Sequence, residues 1–182
     1  MGPGSVTGLP AIAVPGAVVR GRRVLVGGVG YTNLRDVSAG PLLVERLAGL
    51  DWPAGVDVED LSAGAVHVFH ALQAAEPYDF MILIAGVRRG DVPGTVRCAP
   101  YRPSRQSDDE IQGWVAEAIT GLISLDALLA ILGRFGALPP RVTVIEIEPG
   151  DEGWGPAVSE PVQIALAAVA TLVRREVEAC LA

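Results

Sequence analysis

The densest run of chemistry-capable residues is Arg23 to Leu47, R-V-L-V-G-G-V-G-Y-T-N-L-R-D-V-S-A-G-P-L-L-V-E-R-L. Val24, Leu25 and Val26 read as a buried strand. Gly27, Gly28 and Gly30 follow, so the backbone can turn tightly there or approach another group closely. Gly28-x-Gly30 after a strand is half of a dinucleotide fingerprint, whose glycines let main chain meet a pyrophosphate. The third glycine position holds Asn33, and Asp60 fits only loosely as the ribose-binding acid, which makes a nucleotide module the weakest reading. Asp36 either caps the following helix or belongs to a site. No nucleophile is visible: Ser38, Ser62 and Ser124 lack a G-x-S-x-G setting, and Cys98 has no histidine near it in sequence.

The elements that must position these groups alternate. A strand over about 23–28 leads into a helix over 37–50, capped by Asp36 or Ser38, with Leu42, Leu43 and Leu47 at helical spacing. V-D-V-E-D at Val56 to Asp60 reads as a second strand, and Ala65 to Ala75 as a second helix ended by Pro77. Phe80 to Ala85 is apolar throughout, as expected of a central strand covered on both faces. Thr95 to Cys98 suits a short antiparallel edge strand, and residues 99–109 a long mobile loop. Helix is expected over 109–135, with its first acidic residues, Asp108, Asp109 and Glu110, suiting the dipole. Leu122, Leu125, Leu128, Leu129 and Leu132 form its apolar face. A strand at Val142 to Ile147, a glycine-rich loop at 149–156 and a closing helix at 157–181 complete the chain. Trp114 and Trp154 read more naturally as core than as exposed contacts. The order implies an α/β three-layer sandwich, a mostly parallel twisted sheet of about five strands with helices on both faces. Residues 1–21 read as a flexible N-terminal arm and 22–182 as a single domain.

Composition excludes some partners. The formal charge is −7, and all 14 basic residues are arginine. An acidic chain without a basic stripe points away from nucleic acid and from anionic membrane. The longest apolar run, Ile164 to Val173, is too short to span a bilayer, and no charged segment precedes an apolar run near Met1. Cys98 and Cys180 are far apart and have no metal-type spacing, so a reduced, cytoplasmic chain is expected.

The order of the motifs resembles the hydrogenase maturation endopeptidases. Gly28-Val29-Gly30, Asp36, Gly40, Leu43-Val44 and Leu47 are similar to that family's opening strand, glycine loop, acidic turn and helix. Pro93-Gly94-Thr95 is similar to its P-G-T segment, Leu122 to Leu132 to its leucine helix, and Val144 to Pro149 with Gly153 to Val158 to its closing segment. The resemblance runs from about Arg22 to the C-terminus. It implies a phosphorylase/hydrolase-like fold and removal of a C-terminal peptide from the large-subunit precursor of nickel–iron hydrogenase after nickel insertion. It also implies recognition of nickel, or another divalent metal, through a Glu, an Asp and a His, the metal reaching the site in the chain or only through its substrate.

Carried over residue by residue, that ligand set is incomplete. The Glu that follows the loop Asp is Val37 here, and the His before the leucine helix is Thr120. Asp60 holds the place of the strand-ending Asp, with Glu59 the ungapped match. Tyr31 replaces the loop Asn. The resemblance therefore implies catalytic roles for Asp36 and Asp60, a metal ligand at Asp60 or Glu59, a substrate loop of Gly28, Gly30 and Tyr31, and degenerate ligand positions at Val37 and Thr120. His67, three residues before His70, is a weaker substitute ligand. Two readings follow: a divergent endopeptidase, or a non-catalytic chaperone or scaffold for a hydrogenase-related subunit with no metal of its own.

Overall fold

The computed structural model describes residues 21–103, 107, 109, 110, 112–114 and 124–182. Residues 1–20 of the proposed arm, Thr120 and Leu122 lie outside the described residues. Among those described, five strands form one sheet: β1 (Val24–Val29), β2 (Val56–Asp60), β3 (Phe80–Gly86), β4 (Val96–Pro100) and β5 (Arg141–Ile147). Their spatial order is β2-β1-β3-β5-β4, parallel except for β4, which runs antiparallel to β5. The helices are α1 (Ala39–Ala48), α2 (Ala65–Ala74), α3 (Leu125–Arg134) and α4 (Glu160–Leu181).

Strand alternation sorts the core into two layers. From β3, Phe80, Ile82 and Ile84 pack with Leu43 and Leu47 of α1 and with Leu166, Val169 and Val173 of α4. Met81, Leu83 and Ala85 face the other way, against Val68 of α2 and Leu128 and Leu132 of α3. The sheet is thus covered on both faces, which is why β1 and β3 read as continuous apolar runs. The expected three-layer α/β sandwich is the fold observed.

Glycines set how close α1 comes to the sheet. A Cβ on Gly40 would lie 2.3 Å from the carbonyl oxygen of Ile84 and 2.5 Å from that of Val29. One on Gly28 would lie 2.5 Å from the Gly40 carbonyl oxygen. Helix and strand therefore meet backbone to backbone, which only glycine permits. Gly27 and Gly28 are strand residues rather than part of a turn.

Several boundaries differ from expectation for local reasons. A 3-10 turn at Arg35–Ser38 precedes α1, and neither Asp36 nor Ser38 caps the helix with its side chain. The Ser38 hydroxyl instead donates to the Tyr31 carbonyl and accepts from Leu34 N–H, folding the loop upon itself. Ala99 and Pro100 belong to β4 rather than to a loop. Of the acidic helix start, Ser107 and Glu110 form a reciprocal cap, while Asp108 is outside the described residues. Trp154 is 81% exposed, not core.

Gly40→Ala should cost about 3 kcal/mol, the upper range for overpacking, because the obstructing atoms are backbone. Urea unfolding would show this as a lower midpoint at unchanged slope.

Candidate functional site

The loop from Gly30 to Ser38 leaves the carboxyl end of β1, where sites of open parallel sheets form. Its centre is Asp36, which has no exposed surface. Asp36 Oδ2 accepts hydrogen bonds from the Gly150 and Asp151 N–H groups and from the Ser159 hydroxyl, each at 2.8 Å. Oδ1 accepts from the Ser159 N–H at 2.6 Å. Three of these four protein donors converge on Oδ2 and one meets Oδ1, so both oxygens are engaged. Burial alone would push the Asp36 carboxyl up; the donors from Ser159, Asp151 and Gly150 outweigh it and hold the group below its ordinary value. Asp36 thus ties the loop after β1 to the loop after β5 and to Ser159, the residue at the start of α4.

Around that anchor the two loops interlock. Asp36 N–H donates to the Asp151 carbonyl, Arg35 N–H to that of Gly155, and Gly155 N–H to that of Asn33. Arg35 also pairs with Asp151 at 2.8 Å. A second buried carboxylate, Glu148, does the same for the loop after β3. It is 3% exposed and accepts from the Arg89 and Gly90 N–H groups at 2.8 and 3.1 Å. Burial pushes its carboxyl up, and these N–H groups with that of Asp91 and the charge of Arg88 bring it below the ordinary range.

Between these loops lies a cleft of about 350 Å³ at the carboxyl ends of β1 and β3. Val29, Leu34, Val37, Ala85, Val87 and Leu125 give it an apolar lining. Its charged groups are already paired. Arg88 Nε contacts Glu152 Oε1 at 2.9 Å. Arg89 grips Asp126 with two bonds of 2.8 and 2.9 Å and also engages Glu146, and these two partners hold the guanidinium firmly protonated.

The residues singled out from the sequence are distributed around this frame. Gly30, Tyr31 and Val37 line the cleft, while Gly28 lies beneath α1. Asp60 ends β2 as expected but opens into a separate cleft, where its Oδ1 accepts from Ser62 N–H at 2.9 Å. Glu59 is exposed, and His67 and His70 are both exposed on α2. Among the described residues no three His, Cys, Asp or Glu side chains come together as a metal-binding group. A divalent metal needs several unengaged donors. Asp36 Oδ2 is filled by three donors, the Val37 side chain has no ligand atom, and Asp60, Glu59 and His67 are not gathered into a three-donor group among the described residues.

Glu148, Arg88 and Arg89 are not among the residues that local spacing marks, since each works through a partner far away in the chain. The I-E-I-E-P alternation, which turns Glu146 and Glu148 to one side of a strand end, is the only local hint.

No family model matches the chain, and no curated protein is similar to it. Solved structures are. The architecture is that of the hydrogenase maturation endopeptidases, and the resemblance read from the motifs holds at the level of the fold. Hydrogenase 2 maturation peptidase from a Thaumarchaeota archaeon is 27% identical, with 85% of this chain and 97% of that one covered at a TM-score of 0.60. The hydrogenase maturating endopeptidase HybD of E. coli is 23% identical over 85% and 93% of the two chains, at a TM-score of 0.59. The [NiFe] hydrogenase maturation protease HycI of Thermococcus kodakarensis is 17% identical over 86% and 92%, at a TM-score of 0.58. The chain is a divergent structural relative of these proteins.

Asp36→Asn keeps the volume but turns an NH2 group toward donors, so it should destabilise by about 3 kcal/mol. Because the folded pKa is lowered, the contribution of Asp36 is fully present above the ordinary carboxyl value of about 3.9. It is lost as pH falls through the lower folded value. Urea midpoints of wild type and Asp36→Asn should therefore converge below about pH 4 and stay apart at neutral pH.

Proposed function

We propose that this chain binds the C-terminal tail region of a hydrogenase-related large-subunit precursor and acts on it as a chaperone or scaffold rather than as a metal-dependent endopeptidase. The structural relatives named above are hydrogenase maturation peptidases, which supports a related role. The observation that carries the non-catalytic part is the state of the carboxylates in and beside the cleft. Asp36 serves four protein donors, while Asp126 and Glu152 serve arginines. An apolar lining with paired charges at its mouth suits an extended peptide segment.

The enzymatic reading has one observation in its favour: the loop after β1 and the end of β2 have the layout expected from the resemblance, with Asp60 where a strand-ending Asp belongs. A metal carried by the precursor would be substrate, not a resident group of this chain. No helix among the described residues is long and apolar enough to cross a membrane. The cytoplasmic location is part of the proposal.

Incubation with the nickel-loaded precursor separates the readings. Co-elution on size exclusion without release of a tail peptide, by mass spectrometry, is the expected outcome. Val37→Arg, which places a charge on the cleft lining, should weaken co-elution at least tenfold, as burying an unpaired charge would. Release of the tail by wild type that disappears in Asp60→Ala would establish the peptidase instead.

A further inference from the structure

On the other side of the 30–38 loop lies the second cleft, about 370 Å³, between α1 and β2. Leu42, Val58 and Pro156 contribute apolar lining; Glu45 and Asp60 contribute carboxylates, and no basic residue among those described lines it. Among the described residues Glu45 has no partner, and Asp60 is engaged only by Ser62 N–H. β2 is an outer strand of the sheet. Leu61 N–H donates to the Gly28 carbonyl, so by strand alternation the main-chain groups of Val58 and Asp60 turn to the open edge. Edge groups with no main-chain partner among the described residues thus sit directly beside an acidic cleft with apolar walls.

We infer that this edge takes an extended basic segment of a partner protein, which adds a strand to β2 and lays a lysine or arginine side chain in the cleft. Main-chain pairing supplies binding, and the pocket for one side chain supplies selection. The aliphatic stem of such a residue covers Leu42, Val58 and Pro156, and its cationic head meets Glu45 and Asp60. Charge excludes the simplest competitor, a second copy of this chain. Edge-to-edge pairing would bring Asp57, Glu59 and Asp60 of one β2 against the same carboxylates of the other, and like charges opposite one another oppose pairing. The identity of the partner as a hydrogenase-related precursor rests on the function proposed above; the chemistry of the docked segment does not.

The test uses the full chain and short fluorescein-labelled peptides of alternating valine and serine with a central lysine, glutamate or leucine, read by anisotropy. The lysine peptide should bind at least about tenfold more tightly than the glutamate peptide, with an advantage that shrinks at high salt. Glu45→Gln with Asp60→Asn should remove that preference. Val58→Pro deletes an edge donor that β1 does not use, so it should weaken all the peptides, and far-UV circular dichroism should show that the chain still folds. Equal binding of the lysine and glutamate peptides, or no binding of any, would overturn the inference. So would a preference that survives Glu45→Gln with Asp60→Asn. A precursor that binds normally to that double variant would sink this inference alone. Lysine-peptide selectivity in a chain that ignores the precursor would instead sink the proposed function and leave the inference standing.

Discussion

The molecule depends on a buried negative charge that no cation among the described residues neutralises. Moving a carboxylate out of water costs several kcal/mol unless its lone pairs are met. At Asp36 they are met by three backbone N–H groups and a hydroxyl, all from the segment after β5. The arrangement works in both directions. Those N–H groups lie in a loop and at a helix start, where no ladder or helix bond would otherwise satisfy them. Glu148 repeats the device one strand away, holding the loop after β3 by its N–H groups. The three loops at the carboxyl end of the sheet are thereby one connected body, not independent flaps.

That use of carboxylates constrains chemistry. Asp36 Oδ2, which already accepts from three donors, cannot also take an ion without giving up one of those bonds. The fold of the hydrogenase maturation peptidases is present with Asp36, Asp126 and Glu152 bonded to partners within the chain. Ion pairs complete the pattern, since Arg88 and Arg89 engage Glu152, Asp126 and Glu146 at the cleft mouth. A shared fold does not by itself fix the chemistry; the residues at the site do.

The two clefts flank one short loop. Gly30, Tyr31, Leu34 and Val37 face the first, and Thr32, Asn33 and Ser38 face the second. Asn33 and Arg35 have positive φ values of 66° and 35°, uncommon for residues with side chains. They are held there by the Asn33 carbonyl and the Arg35 N–H and guanidinium, all bonded to the loop after β5. The loop's shape is a consequence of long-range contacts, and so are the walls it provides to both clefts.

The strands and their layering were legible in the residues themselves. An unbroken apolar run such as Phe80 to Ala85 has one stable location, the middle of a sheet covered on both faces, and V-D-V-E-D has the mixed character of an edge. Val37 could be read as unable to bind a metal from its type alone. Asp36 was not legible in the same sense: its sequence position suits a helix cap, and its actual partners lie more than a hundred residues away. Trp154 is exposed for a related reason, because the loop that carries it is fixed through its main chain and leaves the indole without a core to enter. Local hydrophobicity decides which segments are buried, since burial depends on each residue's own surface. Where a carboxylate finds its donors is decided only when distant loops are brought together, and that happens in the tertiary structure alone.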